Sequence, residues 1–201
     1  MSTHTLLSPA PGKPTADKRE AILAGALRLI ARLGLHNAPM SGVAREAGVA
    51  AGTLYLYFPS KEAMINALYL ELLEDRERAV AIDPNVTEPR EGLRQYWHGL
   101  ARWHLDRPEA SSFLHQCQSS AILTQATRDE ELRRNLEGFA KFDLAVAQGH
   151  IRDLPRPVFY ALLVGPIFVL AQLRETGEIE MSDDLLGMTF DAVCRSVLPA
   201  R

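Results

Sequence analysis

The 201-residue chain lacks several residue patterns that would mark a disulfide scaffold, a metal site or an enzyme. Its two cysteines, Cys117 and Cys194, stand far apart and form no CxxC pair, so neither a disulfide framework nor a zinc finger is indicated. A glycine-rich phosphate loop, a nucleophile elbow and an HExxH zinc pattern are all missing. We therefore predict no catalytic residue, no metal site and no cofactor.

Long apolar runs are also scarce. The longest apolar run without a charge, residues 158–171, is shorter than a bilayer-spanning helix. Residues 1–14 lack the basic start and apolar segment of a signal peptide and are predicted to form a disordered arm. We therefore expect a cytoplasmic protein with no membrane partner.

Charge is distributed unevenly along the chain. The net charge is −3, which by itself argues against a nucleic-acid partner. However, residues 1–61 contain seven Lys or Arg against three acids, a net charge of +4, while the remainder contains 15 against 22, a net charge of −7. A basic first part on an acidic remainder would orient the molecule on DNA and keep the remainder away from it.

One stretch, residues 47–61 (AGVAAGTLYLYFPSK), predicts two short helices joined by a tight turn. A short apolar helix from about Met40 would end at Gly48, which can adopt the positive φ that such a turn needs. A second helix would begin near Gly52 and be stopped by Pro59.

The second helix separates its side chains by face. Leu54 and Phe58 are four residues apart and can both pack inward, whereas Thr53, Tyr55, Leu56 and Tyr57 lie on the other faces. Hydroxyl groups and one branched apolar side chain suit a DNA major groove, where hydroxyls contact phosphates and base edges and an apolar group can contact a thymine methyl. Gly52, without a Cβ, would allow the backbone to approach DNA closely.

The order A-G-V-x-x-G-T-L-Y-x-Y-F-x-S-K resembles the helix-turn-helix of the TetR family of bacterial transcriptional regulators, and flanking helices extend the resemblance to about residues 16–76. The resemblance implies an all-α, TetR-like fold of about nine helices, with a three-helix DNA-binding domain and a helical ligand-binding and dimerisation domain. It implies a homodimeric repressor of a double-stranded DNA operator. The residues that we predict to contact DNA are Ser41, Arg45, Ala51, Gly52, Thr53, Tyr55, Leu56, Tyr57 and Lys61.

Three features depart from the pattern of the family resembled, one of them Ala38-Pro39, where family members often have threonines at the start of the first helix of the motif. Ala50 and Ala51 stand where the family commonly has a serine and a basic residue, so a helix cap and a cationic contact are absent. We therefore expect DNA binding to depend more on Arg45, Lys61 and the residues that precede the first helix.

The predicted domains are an arm (1–14), a DNA-binding domain that includes a long linking helix (15–82) and a ligand-binding and dimerisation domain (83–201). The break is placed at Asp83-Pro84-Asn85, with later helices expected from Thr87 and Thr127 and after Ser182. The penultimate helix, from Pro157 to about residue 175, is apolar nearly all round and needs partners on more than one side. The resemblance implies that the last two helices of each subunit form the homodimer.

Bulky side chains on the later helices are candidates for a pocket. A mostly apolar cavity with a few polar groups is what a small-molecule site requires, although each of these residues taken alone fits plain core better. No cluster of Arg or Lys joins them, so we expect an apolar or aromatic effector. The candidates are Trp97, Trp103, His104, Phe113, His115, Cys117, Phe139, Phe142 and Phe168.

Other kinds of regulation remain open at this point. Cys117 could sense thiol oxidation, His98, His104, His115 and Cys117 could bind a metal, or the protein could need no ligand. Metal binding is disfavoured, because His98 and His104 are six residues apart and would point to different sides of a helix.

Overall fold

The structure is a computed structural model that describes residues 14–80, 82–83 and 85–199. This part of the chain forms nine helices and no strand, in agreement with the predicted all-α fold. The predicted arm, apart from Pro14, lies outside the described residues, as does Pro84 at the predicted domain break. The helices are α1 (Pro14–Leu33), α2 (Met40–Glu46), α3 (Ala51–Tyr57), α4 (Lys61–Ala79), α5 (Pro89–Asp106), α6 (Pro108–Gln118), α7 (Gln125–Ala147), α8 (Arg156–Glu175) and α9 (Asp183–Val197).

Several helix ends are closed by a capping hydroxyl or by a glycine. The Ser60 hydroxyl accepts the Ala63 amide at 3.0 Å at the start of α4, and the Ser182 hydroxyl accepts the Leu185 amide at 3.1 Å at the start of α9. Gly34, with φ of 80°, ends α1.

Two helices begin at other residues than predicted. The Glu88 carboxylate, and not Thr87, caps α5 by accepting the Glu91 amide at 2.7 Å. Helix α7 begins two residues before the predicted Thr127, because the Thr124 hydroxyl accepts the Thr127 amide at 3.3 Å. Thr124, and not Thr127, therefore caps this helix.

The chain forms two compact units that are not simply its two halves. The first contains the described residues up to Leu72 together with Glu109–Arg128, and the second contains Leu73–Pro108 and the described residues from Asp129 onward. Residues 109–128 join the first unit through side-chain hydrogen bonds. The Leu35 amide donates to Gln116 Oε1 at 3.0 Å, and Asn66 donates to the Ile122 carbonyl at 3.0 Å. The predicted domain boundary at residues 83–85 stays a prediction.

In the first unit, α1 and α2 approach each other closely at two glycines. A Cβ on Gly25 would lie 3.0 Å from the Ala47 amide nitrogen, and a Cβ on Gly42 would lie 2.9 Å from Leu29 Cδ2. A larger residue at Gly25 would press on the backbone at the end of α2, whereas one at Gly42 would displace the end of the Leu29 side chain. The close contact lets α1 support α2 and the turn that follows it.

The second unit has its core between α5, α8 and α9. Trp97 is fully buried there, and its indole nitrogen donates to the Leu163 carbonyl at 2.9 Å, which satisfies its one polar atom. Further buried side chains of this core are Leu100, Ala101, Leu105, Val164, Ile167, Leu186, Phe190, Val193 and Val197.

Helices α7 and α8 are less buried than the other long helices of the second unit. Leu132 and Leu136 of α7 are exposed. Helix α8 is long and apolar enough to cross a bilayer by length and composition alone, so its length does not exclude a membrane, contrary to the prediction from the shorter uncharged run. Nevertheless, Leu163, Val164 and Ile167 of α8 are buried in the core.

Candidate nucleic-acid interface

Helices α2 and α3 are joined by a four-residue turn, as the sequence predicts. Gly48 has φ of 67°, a left-handed conformation that glycine adopts without strain. The Ala47 amide donates to the Val43 carbonyl at 2.9 Å and the Val49 amide to the Ala44 carbonyl at 2.9 Å, so the end of α2 is closed by backbone hydrogen bonds. The chain can therefore enter α3 at once.

Helix α3 is held from behind by its two apolar anchors. Leu54 is 0% exposed, and Phe58, directly after the helix, is nearly as buried. The Arg19 guanidinium lies 5.6 Å from the centroid of the Phe58 ring and forms an ion pair with Glu71. The first unit thus holds α3 through these two side chains and leaves Tyr55 and Leu56 exposed.

The nine predicted contact residues all have solvent-accessible surface. Tyr55 is 52% exposed and Leu56 86% exposed. Ser41, Arg45, Ala51 and Gly52 are also exposed, whereas Thr53, Tyr57 and Lys61 are half-buried. We call Ala51, Gly52, Tyr55 and Leu56 the outer face of α3.

Gly52 has no internal reason to be glycine. A Cβ built on this residue would meet no described atom within 4 Å, and its φ is not in the left-handed region. Glycine weakens a helix relative to alanine. Its presence on the outer face is therefore consistent with the close approach of a binding partner and not with a requirement of the fold.

The only acid of α2, Glu46, is neutralised by arginines of α1. Its carboxylate accepts hydrogen bonds from Arg32 Nη2 at 2.6 Å and Arg28 Nε at 3.2 Å. These bonds, that of Arg32 most, lower the pKa of Glu46. Since residues 47–61 contain no Asp or Glu, the face formed by α2 and α3 presents no unpaired carboxylate to an anionic partner.

Arg45 and Lys61, the two cations on which DNA binding is expected to depend, differ in their surroundings. Arg45 is exposed at the last turn of α2, and the described residues give it no ion pair. Lys61 donates through Nζ to the His36 carbonyl at 2.9 Å, and partial burial lowers its pKa. Arg45 is therefore the freer of the two for contact with a phosphate.

The predicted pocket residues are divided between the two units. Phe113, Cys117 and the exposed His115 belong to the first unit, and the other six belong to the second. There, the buried Trp103 donates to Asp75 Oδ2 at 2.8 Å, and buried His104 packs edge-on against Phe168 at 4.8 Å between ring centroids. Phe139 and Phe142 are half-buried, with Phe142 4.6 Å from Phe159. Their role as pocket residues stays a prediction.

The second unit also has an open cleft of about 860 Å³, to which only Trp103 of the predicted pocket contributes. Its lining is mostly polar, and three of its residues, Arg94, His98 and Arg102, recur at intervals of four along α5. Sequence reasoning missed Arg94 and Arg102 and considered His98 only as a metal ligand, although the spacing that puts the three on one stripe was visible. The full lining is Ala79, Ile82, Asp83, Arg94, Gln95, His98, Gly99, Arg102, Trp103, Asp106, Arg107 and Asp183.

Both cysteines are buried. Burial raises the pKa of the Cys117 thiol to about 12, so its reactive thiolate is scarce at neutral pH. Among the described residues, no three His, Cys, Asp or Glu side chains converge to hold a metal. Neither finding supports the thiol or the metal reading.

Helices α2 and α3 are short and are joined by a tight turn, and α3 is buried on one side and exposed on the other. These features define a protein of the helix-turn-helix class. Residues 22–68 match the sequence family described as bacterial regulatory proteins, tetR family. An uncharacterized HTH-type transcriptional regulator of Haemophilus influenzae is 34% identical over 186 residues, which cover 90% of this chain and 96% of that protein. The chain belongs to the TetR family of bacterial transcriptional regulators.

Other relatives match over shorter lengths. The regulator BetI of Agrobacterium fabrum is 36% identical over 121 residues, and YvdT of Bacillus subtilis is 46% identical over 61 residues. The matched segments span 56% and 31% of those two proteins. A crystal structure of a TetR family regulator from Marinobacter aquaeolei has a TM-score of 0.86 at 26% identity, covering 92% of this chain and 98% of its own. The family is one of regulators rather than enzymes.

Proposed function

We propose that the protein is a cytoplasmic homodimeric repressor that binds a double-stranded DNA operator through α2 and α3. The observation that carries this proposal is the outer face of α3, which is exposed while Leu54 and Phe58 are buried behind it. Arg45 is exposed in the last turn of α2, and Glu46 is neutralised by α1. Such a surface suits the phosphate and base-edge contacts of a major groove.

The operator is proposed to be pseudo-palindromic. A two-fold symmetric dimer presents two copies of α3, which would enter successive major grooves about one helical turn apart. Each half-site would then be contacted by one copy of Ser41, Arg45, Tyr55 and Leu56.

The dimer is proposed to form through α8 and α9. Val158, Tyr160 and Val169 of α8 are exposed apolar side chains, and Met188 of α9 is 70% exposed. Exposed apolar groups on two adjacent helices are typical of a surface that a second protein covers. A second copy of the chain is the occupant that also explains a palindromic operator.

A small-molecule effector is proposed to release the operator. Release requires the effector to bind the DNA-competent and the DNA-free states with different affinities. The aromatic residues of α5, α7 and α8 favour an apolar or aromatic effector, whereas the cleft, lined by three arginines and three aspartates, would favour a polar or charged one. The apolar class is the primary proposal.

DNA binding is tested with the full-length chain on the duplex upstream of its own gene and on duplexes selected from a random library. We expect a selected palindrome, and salt-dependent binding in gel-shift experiments. Selection of no sequence, together with no binding at low salt, would contradict the proposal.

The effector is tested by thermal shift with two panels, one of apolar and aromatic compounds and one of small organic anions. A compound that raises the midpoint should also release the selected duplex. Oxidant-induced release that is lost in Cys117→Ser would favour the thiol alternative instead. Release by no compound would favour a ligand-independent regulator.

A further inference from the structure

The outer face of α3 is chemically unusual for a surface that contacts DNA bases. Helix α3 has the sequence AGTLYLY and therefore contains no Arg, Lys, Asn, Gln, Asp or Glu. These are the side chains that make paired hydrogen bonds to guanine, adenine or cytosine edges in the major groove. Helix α3 must discriminate between bases with hydroxyls and apolar groups alone.

Leu56 is the apolar group that projects farthest from this helix. It is 86% exposed, the largest exposed fraction among the large apolar side chains of the described residues. It lies two residues from each buried anchor, Leu54 and Phe58, and so about 200° around the helix from both. Nothing in the fold requires a leucine here, because the anchors already hold α3.

The neighbours of Leu56 are small and leave it accessible. Gly52 is four residues earlier on the same face, and Ala51 and Tyr55 form the adjacent row. No Cβ of Gly52 shields the Leu56 side chain, and no carboxylate occurs between residues 47 and 61. A flat backbone with one protruding leucine fits against a base pair that presents an apolar group.

We propose that Leu56 determines operator specificity by contacting the 5-methyl group of a thymine in each half-site. The thymine methyl is the one apolar group that the four base pairs present in the major groove. This inference rests on the proposed function, since it requires α3 to enter a major groove. It predicts a required A·T pair in each half-site, at a position where no hydrogen-bonding side chain of α3 reaches.

The test replaces thymine with deoxyuridine, which keeps every hydrogen-bonding group and removes only the methyl. The probe is the best duplex selected from a random library by the full-length chain, made with thymine or with deoxyuridine at each thymine in turn. For the unmodified protein, we expect one position per half-site where deoxyuridine weakens binding about fourfold, as expected for one buried methyl group. Substitution in both half-sites should weaken binding by about tenfold or more.

The matched variants are Leu56→Ala and Tyr55→Phe. Leu56→Ala should bind thymine and deoxyuridine duplexes equally, whereas Tyr55→Phe should bind both more weakly and keep the discrimination. Circular dichroism and sedimentation should show unchanged folding and assembly for both variants. Equal binding of the two duplexes by the unmodified protein, or discrimination that persists in Leu56→Ala, would overturn the inference. Failure to select any duplex would remove the proposed function, and the inference with it.

Discussion

Helices α3 and α8 both expose apolar side chains, but they do so for different reasons. Helix α3 has seven residues, two buried anchors at its inner side and one protruding leucine. Helix α8 has twenty residues, with an inner face buried against α5 and α9 and an outer face that includes Val158 and Val169. The comparison teaches that exposure alone does not identify a partner. A DNA contact is distinguished from a protein contact by the size of the exposed apolar patch and by the charge of the residues around that patch.

The largest effect is expected from a charge on the outer face of α8. Val169→Glu would place a carboxylate in the proposed dimer interface, where burial without a partner is costly. We expect a monomer in sedimentation experiments and a loss of operator affinity of about 100-fold or more, because the two copies of α3 would no longer be linked. Leu144→Glu on α7, also at an exposed leucine, is the control and should remain dimeric. A dimeric Val169→Glu would move the interface elsewhere.

The two sides of α3 should differ sharply in their effect on stability. Leu54→Ala removes a side chain that is 0% exposed and should lower the free energy of unfolding by about 2–5 kcal/mol. Leu56→Ala should change it by no more than about 0.5 kcal/mol. Urea denaturation of the two variants measures the difference. Similar losses would show that Leu56 is packed in solution.

Buried His104 of α5 should make stability depend on pH. Burial, and secondly Arg76, lower the pKa of His104 from 6.5 to about 4. The unfolded chain therefore takes up this proton first as pH falls, so this contribution is complete above about pH 6.5 and is lost as pH falls toward 4. The loss at pH 5 is on the order of 2 kcal/mol.

The variant His104→Phe removes the titrating group and keeps an aromatic ring beside Phe168. Its unfolding free energy should fall less between pH 7 and 5 than that of the unmodified protein. The control is His150→Gln, at an exposed histidine, which should follow the unmodified protein. An identical pH profile for His104→Phe would show that His104 is not held neutral.

The smallest effect is expected at Arg45, in the last turn of α2. Arg45→Ala should weaken operator binding several-fold and reduce the slope of log affinity against log salt by about one for each phosphate that Arg45 neutralises. Arg133→Ala is the matched control, since Arg133 is an exposed arginine of α7 in the second unit. An equal effect of Arg133→Ala on the salt slope would mean that Arg45 does not contact DNA phosphate.

Much of the first unit could be predicted from local sequence. The positive φ of Gly48, the end of α3 before Pro59 and the cap at Ser60 each follow from one residue's backbone or hydroxyl chemistry. The inward and outward sides of α3 follow from the four-residue spacing of Leu54 and Phe58. The same reasoning failed at Thr127, because a competing hydroxyl three residues earlier caps the helix.

The second unit was less predictable, because its arrangement depends on contacts between distant segments. The aromatic residues of α5 and α8 could be read from the sequence. The sequence did not show that the indole nitrogen of Trp97 would donate to the Leu163 carbonyl and that of Trp103 to the Asp75 carboxylate. Leu132 and Leu136 form an apolar stripe that remains exposed. Periodicity identifies an apolar stripe, but only its neighbours in space decide whether it is covered.

The sequence by itself determined the helical class, the turn at Gly48, the two anchors of α3 and the side chains that face away from them, since these depend on residues within one or two helical turns. The tertiary structure alone decided that residues 109–128 belong to the first unit and that Glu46 is neutralised by α1. It also decided that Lys61 bonds to the His36 carbonyl. Those outcomes require groups far apart in sequence to meet, and no local pattern encodes such a meeting.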